Sequence, residues 1–152
     1  MISEFYQSLD RQVQALFEGE HDLIAAMSNF SALLNEQLTE LNWVGFYLMK
    51  QDQLVLGPFQ GKVACSRIPV GKGVCGTAVA LDQTQRIDNV HEFDGHIACD
   101  SASNSEIVVP VRLQGKVIAV LDIDSPKFSR FDENDQIGLE TLVATFEKCV
   151  FA

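Results

Sequence analysis

Residues 43–59, WVGFYLMKQDQLVLGPF, decide the fold. Upstream of them apolar residues recur at helical spacing; here they run together with aromatic and β-branched residues, as strands require. Gln51 and Asp52 interrupt the run as turn residues, so WVGFYLM and QLVLGPF read as an antiparallel hairpin. Alternation along the first strand puts Val44, Phe46 and Leu48 on one face, suited to packing under helices, and Trp43, Gly45 and Tyr47 on the other. A glycine between two aromatics is expected to leave a hollow on that second face.

Toward the N-terminus, Tyr6, Leu9, Val13, Leu16 and Phe17 repeat at helical spacing. Leu23, Met27, Phe30, Leu34, Leu38 and Leu41 do so again after a break at Gly19. Two amphipathic helices therefore precede the hairpin. Beyond it, a third short strand is expected around Ala64 to Ile68. VGKGVCGTAVA begins with glycines and turns alanine-rich, which suits a tight turn feeding a short, closely packed helix. QRID reads as another short strand. Between Asp88 and Ser105 the chain is polar and aperiodic, a long loop of the kind that is disproportionately functional. EIVVPVRL and KVIAVLDID form a second hairpin across Gln114 and Gly115. Asp132 with Asp135 resembles a capping box, opening a helix whose Leu139, Leu142, Val143, Phe146 and Val150 form one stripe. The expectation is one α+β domain over residues 1–152, with an antiparallel sheet of about six strands flanked by N- and C-terminal helices.

With 152 residues and 47% apolar content the chain can bury one substantial core. A net charge of −10 argues against nucleic acid and against an anionic membrane surface, both of which call for clustered Lys and Arg. No segment approaches the run of about 20 apolar residues that a spanning helix needs, and MISEFYQSLD is acidic and amphipathic, so a cytoplasmic location is expected. The amphipathic N-terminal helices could also pack on a symmetry mate as a homodimer.

Three of the four cysteines sit among small residues: Cys65 in ACSRIP, Cys75 in GKGVCGTA and Cys99 in GHIACDSASNSE. Glycine, alanine and serine leave room for a substrate and for a second thiol, which points to thiol redox chemistry rather than structural bridging. Cys149, among Phe146, Val150 and Phe151, reads as a small buried hydrophobe. His91 and His96 with the three cysteines would be the zinc alternative, but no paired C-x-x-C supports it and no metal is expected. His96 more simply orders the loop or tunes Cys99. The glycines of VGKGVCG match no phosphate-binding motif.

Asp122 and Asp124 stand two apart on a strand and so project from one face, and Glu106 begins the strand paired with it. Carboxylates crowded in a partly closed site cannot all ionise cheaply. One should be able to donate a proton while another stays charged to hold a cationic group.

The element order, with NWVGFY, GKGVCGTA, SEIVVP, GKVIAVLDIDS and RFDENDQIGLETL, resembles a GAF domain over nearly the whole chain. More narrowly, IPVGKGVCGTA, DNVHEFDGHIACDSASNSEIVVP and LDIDSP resemble the free methionine-(R)-sulfoxide reductases. The resemblance implies an enzyme that reduces the free amino acid with its own thiols and is recycled by thioredoxin, without metal or organic cofactor. It implies that Cys99 attacks, that Cys65 resolves the resulting sulfenic acid as a disulfide, and that Cys75 is an auxiliary thiol. It gives substrate contacts to Glu106, Asp122 and Asp124, and gives Trp43 and Tyr47 to the pocket wall, where the hollow at Gly45 would take the methyl sulfoxide. Which acid protonates the sulfoxide oxygen stays open, with Glu106 and Asp124 favoured. The alternative is a GAF-fold sensor that binds a small effector without catalysis.

Overall fold

The computed structural model describes residues 2–95 and 102–152. Helices α1 (Glu4–Phe17) and α2 (Leu23–Gln37) lead into strands β1 (Trp43–Lys50), β2 (Gln53–Gly61) and β3 (Arg67–Pro69). Helix α3 (Gly73–Leu81), strand β4 (Gln85–Ile87) and one 3₁₀ turn (Val90–Glu92) follow. Strands β5 (Ser105–Leu113) and β6 (Lys116–Ser125) and helix α4 (Glu133–Val150) close the order. The six strands form one antiparallel sheet in the order β3-β2-β1-β6-β5-β4. The expected α+β class, both hairpins and the capping box, made by Asp132 and Asp135, are all present.

Two positions differ from the sequence reading. The helical stripe read as far as Leu41 stops at Gln37, because Leu38 leaves helical geometry and Glu40 adopts φ +61°. The third strand starts only at Arg67, and Pro69 ends it where no further ladder bond from that residue is possible. Pro110 is tolerated inside β5 because β4 pairs only with residues 106–108, leaving the strand beyond as an edge.

The sheet has two unlike faces. Val44 and Phe46 of β1, Ile107, Val109 and Val111 of β5, and Ala119, Leu121 and Ile123 of β6 pack under α1, α2 and α4. Phe17, Phe30, Phe46 and Phe146 form an aromatic knot at the centre, with ring centroids 5.2–5.9 Å apart. The opposite face carries a smaller core around Trp43, Tyr47, Leu54, Ile68, Val74, Cys75, Ala78, Val108 and Val120, covered in part by α3. Helix α3 can lie this close because of Gly76, where an added Cβ would meet the Pro69 carbonyl at 2.4 Å. Its first turn thereby carries Cys75 down against the sheet. Among the described residues no helix is long and apolar enough to cross a membrane.

Candidate active site

Antiparallel register assembles three acids from two strands. Trp43 pairs with Asp124, and Asp124 with Glu106; one step along, Gly45 pairs with Asp122, and Asp122 with Val108. Residues two apart on a strand share a face, so Trp43, Tyr47, Glu106, Asp122 and Asp124 all project to the side that α3 covers. Glu106 is 7% exposed and Asp122 6%, while Trp43 and Tyr47 are 2% exposed.

The electrostatics are unusual for an interior. Glu106 contacts the carboxyl groups of both Asp122 and Asp124, and none of the three is paired with Lys, Arg or His among the described ion pairs. Oδ1 of Asp122 and Oδ1 of Asp124 are buried without a hydrogen-bond donor among the described residues. Burial, and then the charge of the neighbouring carboxyls, pushes the Glu106 and Asp124 carboxyls well above the usual carboxylate range. The Ser103 hydroxyl opposes this at Asp124, donating to Oδ2 at 3.1 Å while accepting from Asn42 Nδ2 at 3.0 Å. The cluster thus holds protons that carboxyls in water would release, and two of its oxygens are desolvated acceptors without a donor among the described residues.

Cys75 sits beside the acids, 3% exposed, with its thiol hydrogen-bonded to Asp122. Burial foremost, and the nearby carboxyls after it, push this thiol up, so it stays protonated and non-nucleophilic. Sγ of Cys75 and one carboxyl oxygen each from Glu106 and Asp122 lie within 4.8 Å of one another, the one such grouping among the described residues. That grouping contains no histidine. His91 instead lies at the base of the loop, bonded to Asn104 Oδ1 at 2.8 Å.

Aromatics wall the site on the β2 side, though not as read from sequence. The hollow expected at Gly45 is filled, since a Cβ there would lie 2.2 Å from Cβ of Phe59 and 2.8 Å from the Pro58 carbonyl. Strand β2 carries a bulge opposite Gly45–Tyr47, and Phe59 stacks on Trp43 at 5.1 Å, as does Tyr47 at 5.9 Å. The glycine serves a close strand approach rather than a cavity. The polar tips of the two predicted aromatics then have a second task. Trp43 Nε1 donates to the Lys62 carbonyl at 3.1 Å, and the Tyr47 hydroxyl to the Cys65 carbonyl at 2.9 Å. Both side chains therefore anchor the segment that carries Cys65.

Cys65 is engaged in a disulfide, whereas Cys75 and Cys149 are free thiols. Cys99 and His96 fall outside the described residues. The loop bearing them is tied at both ends: Val90 N donates to the Asn104 carbonyl at 2.9 Å, Asn104 N to the Ser125 carbonyl at 2.8 Å, and Gly73 N to the Gly95 carbonyl at 3.0 Å. Sequence reasoning missed Phe59, Ser103 and Asn42. Strand alternation from Leu54 and Leu56 would turn Phe59 to the other face, and only the β2 bulge returns it to the site side, while Ser103 and Asn42 lie in aperiodic stretches that offer no signal.

Comparison with known proteins agrees with this architecture. A GAF domain family model matches residues 21–148. The free methionine-R-sulfoxide reductase of Escherichia coli K12 is 61% identical over 146 residues, covering 96% of this chain and 88% of that one. A solved structure of fRMsr of Staphylococcus aureus, described as a complex with substrate, is 55% identical with a TM-score of 0.92, covering 95% of each chain. The Neisseria meningitidis free methionine-R-sulfoxide reductase, solved in complex with its substrate, is 43% identical with a TM-score of 0.92, covering 96% of this chain and 88% of that one. With the sheet, the acid cluster and these likenesses together, the chain belongs to the GAF-domain family and, within it, to the free methionine-R-sulfoxide reductases.

Proposed function

We propose that this protein is an oxidoreductase that reduces free L-methionine (R)-S-oxide to L-methionine, with Cys99 as the attacking thiol and Cys65 as the resolving one. The observation that carries this reading is the trio Glu106, Asp122 and Asp124, with Glu106 and Asp122 buried and none paired with Lys, Arg or His among the described ion pairs, beside an aromatic stack that anchors Cys65. A free amino acid brings an α-ammonium group to such a site; a methionine inside a peptide has none.

In the reaction, the ammonium lies against Asp122 and Asp124 while the methyl sulfoxide end rests toward Trp43 and Tyr47. The Cys99 thiolate attacks the sulfoxide sulfur as the oxygen takes up a proton, methionine departs, and Cys99 is left as a sulfenic acid. Glu106 and Asp124 share the proton to be delivered, which leaves one of the pair as a carboxylate toward the ammonium. Ser103 favours the charged form of Asp124, so Glu106 is the acid that holds its proton more firmly. The Cys65 thiol then displaces water from the sulfenic acid, forming a disulfide that thioredoxin reduces by exchange. The disulfide at Cys65, a bond of the kind a resolving cysteine closes and thioredoxin reopens, supports its place in this cycle. Cys75 acts as an auxiliary group that lends its neutral thiol to the acids. No cofactor enters the scheme, and the thiol cycle suits the reducing cytoplasm.

Thioredoxin-coupled turnover of the two sulfoxide epimers tests the assignment in wild type, Cys99→Ser, Cys65→Ser and Cys75→Ser. The expected result is turnover of the R epimer only, none in Cys99→Ser, a single round without recycling in Cys65→Ser, and continued cycling in Cys75→Ser. Normal cycling by Cys99→Ser would overturn the proposal.

A further inference from the structure

We propose that the thiol and acids at the start of α3 form a binding site for a thiophilic divalent cation, with Cys75 Sγ, Glu106 and Asp122 as its protein ligands and Zn²⁺ as the ion the donor set favours. Three observations meet here. The ligand atoms already lie within 4.8 Å of one another. Around a tetrahedral zinc, with Zn–S and Zn–O bonds of about 2.0–2.3 Å, ligand atoms sit roughly 3.4–3.7 Å apart, so side-chain adjustments of about 1 Å suffice. Asp122 is 6% exposed and its Oδ1 has no donor among the described residues, and Oδ1 of Asp124 next to it has none either. These oxygens are desolvated acceptors that a cation would satisfy. Finally, no Lys, Arg or His balances the cluster among the described ion pairs.

The donor chemistry selects the ion. One thiolate and two carboxylates suit zinc or cobalt over magnesium or calcium, which prefer all-oxygen shells. Three protein ligands leave a fourth position for water or for Asp124, as in open zinc sites. Ligation replaces the Cys75 thiol proton and the protons shared among the acids, so binding releases protons to solvent. Because Asp122 and Glu106 are also the acids assigned to substrate, an occupied site would compete with the substrate ammonium. The competition rests on the function proposed above; the binding does not.

The probe is Co²⁺, whose thiolate complexes show a near-ultraviolet sulfur-to-cobalt charge-transfer band and strong visible bands when four-coordinate. It is titrated into the oxidised protein, with Cys65 closed in its disulfide, in a Cys149→Ser background that removes the other free thiol. The expected result is both bands saturating at one equivalent, displacement by Zn²⁺, and loss of the charge-transfer band in Cys75→Ser. Glu106→Gln keeps the thiol and the side-chain volume, and should lower affinity at least about 10-fold; it carries the test should Cys75→Ser fail to fold. No thiolate band at millimolar Co²⁺, a band that survives Cys75→Ser, or unchanged affinity in Glu106→Gln would overturn the proposal. In steady-state assays Zn²⁺ should raise the KM for the sulfoxide while kcat holds. A Cys75-dependent cobalt band without that competition would uphold the cation site and overturn the ammonium site of the proposed function instead.

Discussion

Glu106→Gln should make the ligand-free protein more stable while disabling it as a catalyst. In wild type Glu106 faces two other carboxyls, and Oδ1 of both Asp122 and Asp124 lacks a donor among the described residues. A glutamine of nearly the same shape removes one acid and offers an amide N–H pair to those oxygens. A hydrogen bond to a charged acceptor contributes about 1.5–3 kcal/mol, which for a chain of this length raises Tm by roughly 3–12 °C. The pH dependence follows from the upward shifts at Glu106 and Asp124. Below about pH 3 these carboxyls are protonated in both folded and unfolded chains. As pH rises, the unfolded chain releases its protons first, while the folded cluster keeps them until its own higher values are passed. Across that window the folded state binds more protons, so wild-type stability falls as pH increases. The advantage of Glu106→Gln should therefore be largest near pH 8 and nearly vanish at about pH 3. Thermal melts of both proteins from about pH 3 to pH 8 read this directly, and kcat/KM should fall about 10²–10⁴-fold with loss of the acid. A variant no more stable than wild type at pH 8, or an advantage of equal size at about pH 3, would refute the reasoning.

Tyr47→Phe removes the hydroxyl that holds the Cys65 carbonyl at 2.9 Å; at about 1 kcal/mol for one hydrogen bond, disulfide closure should become roughly 5-fold less favourable, read from its equilibrium with glutathione. Gly45→Ala would press a Cβ onto Phe59 Cα at 2.7 Å and the Pro58 carbonyl at 2.8 Å, both on the β2 backbone, and should cost about 1–3 kcal/mol in urea denaturation. An unchanged midpoint there would mean that the β2 bulge is not held by close packing. Ser103→Ala takes a donor from Asp124 Oδ2, so the charged form becomes harder to reach; KM should rise about 10-fold, and the acidic limb of the kcat/KM profile should move to higher pH.

What the sequence showed of this molecule depended on the range of the interaction. Strand alternation is a local property, so the shared face of Asp122 and Asp124 and the helix-facing side of Val44 and Phe46 were legible and appear in the structure. The hairpin carried the same reasoning across to Glu106, because its turn sets the register. Pairing of β1 with β6, which brings Trp43 beside Asp124, joins residues some eighty positions apart. No local pattern announces it, and the GAF resemblance alone suggested that aromatics and acids would meet. Gly45 was misread for the same reason. Between two aromatics it looked like space, whereas its neighbours are decided by a bulge of β2 that brings Phe59 and the Pro58 carbonyl against it. Ser103 and Asn42 carried no signal, since a hydrogen bond between two aperiodic segments follows from tertiary placement alone.

The two faces of the sheet explain how a chain can tolerate three acids in its interior. Packing of α1, α2 and α4 on one face buries a continuous apolar core, centred on Phe17, Phe30, Phe46 and Phe146, that owes nothing to the acid cluster. The opposite face is a smaller core in which polar groups lie among Trp43, Tyr47 and Val108. Alternation makes each strand serve both: along β6, Leu121 and Ile123 point to the helices while Asp122 points to the site. A one-residue slip of β6 against β1 would send the acids into the helix-facing core and the leucine into the site. The register is therefore enforced by the large apolar face, and the arrangement of the acids is a consequence of packing on the other side of the sheet. The favourable energy of one face holds in place the unfavourable electrostatics of the other, which is why changing Glu106 should separate stability from activity rather than lower both.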